Sequence, residues 1–302
     1  MMFLYYPYFA LLWLLSLLPL RVHYVFSDLI LYPIARYVIK YRRKVVRKNL
    51  AEAFPEKPVK ELREIERRFY HIMCDFIVED LKLCSMSANQ INKRMVWKGL
   101  EHISSNPNTI TVMFIGHTGN WEYMAAMNLW ATGYHVVHVY HKLYNKLANR
   151  LFLRNREQFG CECVKMRHTY RRLLALKRAN TKTIAGFIAD QQPKWKAIHH
   201  FSHFLNHDTA VFIGGEHIAK KLDAAVVYLS FTRPRRGYYQ AEIIPITSNP
   251  SDFPDYEITD RYMQLLEEDI KREPYLWLWS HKRWSRTKEE WLRRQETQSS
   301  QQ

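Results

Sequence analysis

Residues 109–122 read TITVMFIGHTGNWE. The first half, Thr109 to Ile115, is a short apolar run rich in β-branched side chains, the composition of a strand buried on both faces. Gly116 closes the run, and Asn120 is a residue type that caps helices. A strand, a loop and a helix start are therefore expected in immediate succession. His117 falls on the loop and Glu122 in the first helical turn. Five positions apart on one helix, the two would point to different faces. A turn through Gly116 and Gly119 gives the backbone freedom to bring them together.

The same pattern extends outward. Short β-rich runs recur at 136–140, 183–189, 225–231 and 239–246, and helical stretches at 120–130, 142–159, 170–178 and 209–221 lie between them. Upstream, 59–83 reads as an amphipathic helix, with Leu62, Ile65, Phe69, Ile72, Met73, Phe76 and Ile77 at helical spacing after the turn at 54–58. Downstream, 259–272 is a further helix stopped by Pro274. The alternation predicts an α/β fold with a mixed central sheet flanked by helices, preceded by an N-terminal membrane-anchor helix. Three regions follow: an anchor with a basic juxtamembrane segment over 1–48, one catalytic domain over 49–295, and a polar, disordered tail over 296–302. No internal repeat, P-loop or G-x-G-x-x-G is present.

The anchor rests on residues 1–20, MMFLYYPYFALLWLLSLLPL, which carry no charged side chain. As one helix, about 20 residues rise roughly 30 Å, the thickness of a bilayer's hydrocarbon core. Pro7 and Pro19 are placed to kink or end it, and spanning the bilayer and lying in its interface both stay open. A secretory signal is a poorer fit, lacking a basic start and an A-x-A site. The basic run at Lys40, Arg42, Arg43, Lys44, Arg47 and Lys48 keeps the following chain on the cytoplasmic side by the positive-inside rule.

The formal net charge of +16 bears on partners rather than on fold. Nucleic acid, an anionic membrane surface and an acidic carrier protein all suit it. The basic clusters at Arg171–Arg172, Lys177–Arg178, Arg233, Arg235–Arg236 and Arg293–Arg294 are scattered over several elements without a recognisable binding module, which disfavours nucleic acid. Cys74, Cys84, Cys161 and Cys163 have no metal or redox spacing and read as reduced thiols. His199, His200, His203, His207 and Asp208 invite a metal-site reading through two i, i+4 spacings. Interleaved Phe201, Phe204 and Leu205 argue against it, and no metal or cofactor is expected.

A histidine on a loop after a buried strand, with a carboxylate nearby, suits one kind of chemistry. Moving an acyl group from a thioester to an alcohol needs a base for the hydroxyl proton, and neutral imidazole has the right pKa. A carboxylate on the other ring nitrogen fixes the tautomer and stabilises the imidazolium. This is the serine-hydrolase arrangement with the acceptor's hydroxyl in place of the serine. Glu122 is the carboxylate expected there. A bare His-x4-Glu spacing also arises by chance, so its context carries the weight.

Gly116-His117-Thr118-Gly119-Asn120-Trp121-Glu122 resembles the G-H-F-G-N-W-E signature of the bacterial lipid A biosynthesis acyltransferase family, the late lauroyl and myristoyl transferases and related mannoside acyltransferases. Asn49-Leu50-Ala51-Glu52-Ala53-Phe54-Pro55 is similar to its N-L-x-x-A-F-P. Arg156-Glu157-Gln158-Phe159-Gly160 resembles R-x-x-F-G, and Asp190-Gln191 resembles its D-Q. Trp277-Leu278-Trp279-Ser280-His281-Lys282-Arg283-Trp284 resembles the closing W-x-W-x-H-x-R-W. These matches fall in order across 49–284. The resemblance implies an acyl-acyl carrier protein donor, a membrane glycolipid acceptor such as a lipid A precursor of lipopolysaccharide, and work at the cytoplasmic face of the bacterial inner membrane. It implies His117 and Glu122 as the catalytic pair, with Arg156 and Asp190 supporting at the substrate.

A guanidinium at Arg156 suits a phosphate of donor or acceptor, with Arg154 a rival for that position. Asp190 suits orienting Arg156 or a substrate hydroxyl. Thr118 departs from the family's aromatic beside the histidine. Gln192-Pro193-Lys194-Trp195-Lys196 departs from its glycine-containing loop. A lysophospholipid or aminolipid acyltransferase is the enzymatic alternative, and a basic membrane-surface scaffold the non-enzymatic one.

Overall fold

In the computed structural model, which describes residues 2–299, the N-terminal part is helical. Helix α1 (Met2–Leu17) stops just before Pro19, which disfavours helical backbone in the residue ahead of it. Helix α2 (Leu20–Phe26) restarts at once and runs on through π-helical turns at Ser27–Leu31 and Ile34–Val38. The two limbs meet at 105°, with the break at Pro19, one of the two prolines placed to kink or end the anchor. No single helix among the described residues is long and apolar enough to cross a membrane; this bent pair reaches that length and composition only together. Many of its apolar side chains, Leu14, Leu17, Val25 and Leu29 among them, are exposed.

Helix α3 (Arg43–Ala53) leads to α4 (Val59–Leu83), whose limits are those read from the sequence. Lys82 Nζ and Ser85 Oγ both donate to the Ser16 carbonyl, at 2.8 and 2.7 Å. They satisfy an orphan acceptor at the end of α1 and tie that helix to α4. Helix α5 (Ala88–Asn92) begins at a reciprocal capping box of Ser87 and Gln90.

Then come β1 (Met95–Lys98), α6 (Glu101–Ser104), β2 (Ile110–Ile115), a 3-10 helix over Trp121–Leu129, β3 (His135–Tyr140), α7 (Lys146–Glu157), β4 (Glu162–Lys165), α8 (Thr169–Arg178) and β5 (Thr183–Ile188). The chain continues through β6 (Phe201–Phe204), β7 (His207–Ala210), α9 (Gly214–Leu222), β8 (Ala225–Arg235), β9 (Tyr238–Thr247), α10 (Glu257–Arg272) and α11 (Lys288–Ser299). The main sheet runs β1-β9-β8-β2-β5-β3-β4. Its pairs are parallel except β8 with β9. The fold is thus the expected mixed α/β sandwich. Every side chain of β2 is buried: Val112 and Phe114 enter one apolar layer with α10 and the closing tryptophans, and Met113 and Ile115 enter the other, with the 121–129 helix.

Two local readings change. The helix expected over 209–221 starts only at Gly214, because 201–210 folds as a hairpin of β6 and β7 turned by Leu205 and Asn206, both at positive φ. His203 pairs with Asp208 across that hairpin and His200 bonds Asp260 at 2.8 Å, so the histidines do not share one helix face. The polar tail expected from residue 296 is helical through Ser299 as part of α11, and 300–302 lie outside the described residues. All four cysteines are free, and burial pushes the Cys74 thiol up to about 12 and Cys161 to about 11.

Candidate active site

Strands β2 and β5 are neighbours in parallel register, with Ile115 opposite Ile188. Continue both chains two residues past that pair and they reach His117 and Asp190. The carboxyl ends of adjacent parallel strands are where α/β sheets place ligands, and here the two side chains meet. His117 Nδ1 lies 2.5 Å from Asp190 Oδ1. The His117 backbone N–H donates to Asp190 Oδ2 at 2.9 Å, and the Trp277 indole donates to the same oxygen at 2.7 Å.

Burial works to raise the Asp190 carboxyl, but the charge and hydrogen bonds of His117, with the Trp277 bond, outweigh it and hold the group at about 2. Asp190 is therefore an ionised, acceptor-only group, which assigns the proton on Nδ1 to a bond donated toward it. In the neutral imidazole this leaves Nε2 as the acceptor. The side-chain amide of Gln191 sits 3.2 Å from that nitrogen, and the Trp121 ring stands edge-on to the imidazole at 4.9 Å between centroids.

The loop is clamped from the far end of the chain. Leu278 N–H donates to the His117 carbonyl (3.1 Å) and Gly119 N–H to the Leu276 carbonyl (3.2 Å), a short antiparallel contact centred on Thr118 and Trp277. Gly119 has φ +60° in this turn, a conformation that a side chain would strain. Asn49 on α3 donates to the carbonyls of Trp279 and His281, both at 2.8 Å. Arg283, fully buried, donates to the Ala210 carbonyl, and Trp284 donates to Thr209. The Asn49 and Trp277–Trp284 segments thus form one brace behind the histidine.

Glu122 stands elsewhere than expected. No hydrogen bond joins it to His117. Arg156 on α7 takes both its oxygens, Nε to Oε2 at 2.8 Å and Nη2 to Oε1 at 2.5 Å, in a fork whose acid is 3% exposed. The carboxylate on the imidazole is Asp190 instead, because the strand register delivers it there while the 3-10 turn sends Glu122 toward α7. Burial would lower the Arg156 pKa, yet its bonds and pairing with Glu122 hold it above the ordinary value. Asp80 on α4 adjoins this pair. Its Oδ1 is sealed from solvent without a hydrogen bond, and burial and the Glu122 charge push it up to about 7.

Arg154, the rival of Arg156, is exposed and stacks over Phe9, 3.8 Å from the ring centroid. Asn120 does not cap the following helix through its side chain; it is buried and donates to Glu79 Oε2 at 2.8 Å. Asp190, expected to orient Arg156 or a substrate hydroxyl, holds His117, and Glu122, expected at His117, holds Arg156. Gln191 was seen only as part of a motif, and the indole of Trp277 as part of the closing one.

Beside the histidine opens a cavity of about 420 Å³ with almost wholly apolar walls. Gly119, Trp121 and Trp277 line it, together with Phe69, Met73 and Phe76 of α4. A basic nitrogen with a buried carboxylate behind it and an apolar cavity alongside can deprotonate a hydroxyl next to a bound hydrocarbon chain. A search of curated proteins gives no significant match to the chain. The sequence does match the family described as bacterial lipid A biosynthesis acyltransferase, over residues 1–286. The chain belongs to the bacterial lipid A biosynthesis acyltransferase family.

Proposed function

We propose that the protein moves a fatty acyl group from acyl-acyl carrier protein to a hydroxyl of a membrane glycolipid, a lipid A precursor, at the cytoplasmic face of the inner membrane. The observation that carries this reading is the His117 imidazole, backed through Nδ1 by buried Asp190 and set beside an apolar cavity.

In the proposed step the acceptor hydroxyl displaces the Gln191 amide from Nε2 and gives that nitrogen its proton. The oxygen attacks the thioester carbonyl, and the tetrahedral intermediate collapses with loss of the thiolate. The imidazolium returns the proton to the departing sulfur, so an ester and a thiol leave. Asp190 stays ionised throughout and stabilises the transient cation. Glu122 acts in this reading through Arg156, holding the 121–129 helix and with it Trp121 against the imidazole. The exposed apolar face of α1 and α2 and the large positive charge support a membrane-surface setting.

The test is acyl transfer by purified protein in detergent. Labelled acyl-carrier-protein and coenzyme A thioesters would be offered with lipid A precursors, lysophospholipids and aminolipids. Wild type is expected to label a lipid A precursor from the carrier thioester, and folded His117→Ala to lose the activity. Labelling of lysophospholipid or aminolipid alone would move the assignment to those acceptors. Undiminished transfer by His117→Ala would remove the mechanism, and no transfer to any acceptor would leave the scaffold reading standing.

A further inference from the structure

A second cleft, of about 510 Å³, lies next to the apolar cavity and has the opposite character. Five arginines line it, Arg67, Arg68, Arg233, Arg235 and Arg236, with only Asp28 and Asp75 as lining carboxylates. The two carboxylates hold part of the cluster in place. Asp75, itself buried, takes Arg233 at 2.7 Å and Arg236 at 2.5 Å, and Asp28 takes Arg236 at 2.7 Å. Arg67 pairs with Glu64 on the surface of α4.

Arg68 and Arg235 have no carboxylate partner among the described residues. Each lies over a tyrosine ring instead, Arg68 3.4 Å from the Tyr275 ring centroid and Arg235 3.6 Å from that of Tyr238. A guanidinium held over a ring still has N–H donors to offer a ligand. A cleft with surplus positive charge, positioned guanidinium groups and room for a small group is what phosphate recognition requires.

Its position gives the cleft a role. Ile72 lines both the cleft and the apolar cavity, and the wall passes from Tyr275 in the first to Leu276 in the second. Leu276 is the residue whose carbonyl holds Gly119 in the active loop. We propose that the cleft is a phosphate subsite, binding a phosphate group of a substrate whose reacting end lies at His117. Its place in catalysis rests on the acyl-transfer reading above. The phosphate can come from the lipid acceptor or from the pantetheine arm of the donor.

Binding to the purified full chain at fixed ionic strength, read by calorimetry, separates these sources without using turnover. The probes are dihexanoyl phosphatidic acid, with dihexanoyl phosphatidylcholine as its control, and 4′-phosphopantetheine. Arg68→Gln with Arg235→Gln breaks no ion pair, and Arg171→Gln with Arg178→Gln on α8 removes the same charge elsewhere.

Phosphatidic acid is expected to bind wild type in preference to phosphatidylcholine. The cleft variant should weaken it about tenfold or more, the loss of a charge-assisted hydrogen bond, and the α8 variant should not. The same pattern with phosphopantetheine alone would keep the subsite and assign its phosphate to the donor. No binding of either phosphate by wild type, or equal weakening in both variants, overturns the proposal, whatever the activity assays show.

Discussion

Asp190 is surrounded by donors: an imidazole, a backbone N–H and an indole. Its carboxyl is held down at about 2, below the ordinary aspartate value near 3.9 of an unfolded chain. A depressed acid adds stability that is fully present above the unfolded value and is lost as pH falls through the folded one. The contribution, about 2 kcal/mol by linkage, should therefore persist at neutral pH and fade between about pH 4 and pH 2. Asp190→Asn is expected to melt below wild type at pH 7, with the gap closing as the melts are repeated toward pH 3. Its kcat should fall by about 10³–10⁴-fold with KM little changed, by analogy with an amide that presents the wrong partner to a catalytic imidazole. A variant with near-normal kcat would show that Asp190 only braces the fold.

That residue also marks where the sequence stops being readable. His117 stood out by its context, on a glycine-flanked loop between a buried strand and a helix start. Glu122 was paired with it because the two are close in the chain. Asp190 lies 73 residues away, and only the neighbour order of β2 and β5 and their register bring it within reach. Strand order is fixed by packing between distant segments, which no local spacing reports.

Among the elements, the Glu122–Arg156 fork joins the 121–129 helix to α7, with Asp80 of α4 alongside. Removing one partner of a buried ion pair strands the other, at about 3–5 kcal/mol. Arg156→Ala should destabilise by that order in chemical denaturation. Adding Glu122→Gln should recover part of the loss, since the stranded group is then neutral. Additive losses would mean that the pair is not energetically coupled.

Helix α4 offers a second prediction at this scale, because its 25-residue amphipathic face was legible to the residue and part of it lines the apolar cavity. Met73→Trp should fill that space and shift the products toward shorter acyl chains when mixed donors compete. An unchanged product distribution would place the acyl chain elsewhere. The β6–β7 hairpin was not legible. Its strands are four residues each, and its turn uses Leu205 and Asn206 rather than glycine at positive φ, so the usual hairpin signal is missing.

For the molecule as a whole, the bent α1–α2 pair and the charge of +16 act together. Composition revealed both an apolar N-terminus and a basic protein, and Pro19 marked the break, but the size of the bend, 105°, has no local signal. Vesicle flotation should recover the protein with anionic vesicles more fully than with neutral ones at about 0.1 M salt, where the screening length is roughly 10 Å. Raising the salt to about 0.5 M should remove the difference while leaving binding that comes from apolar insertion. Complete release at high salt would make the attachment purely electrostatic.

The brace behind His117 has a consequence for biosynthesis. Asn49 and the carbonyl of Trp279 are 230 residues apart, and Trp277 must reach Asp190 before that carboxylate has its full set of donors. A nascent chain that has already made the histidine, the aspartate and the strands carrying them still lacks the segment that locks their loop. Helices α1 and α2 precede these strands in the chain, and the lock follows them. An elongating chain therefore carries its N-terminal helices before the loop at His117 is set.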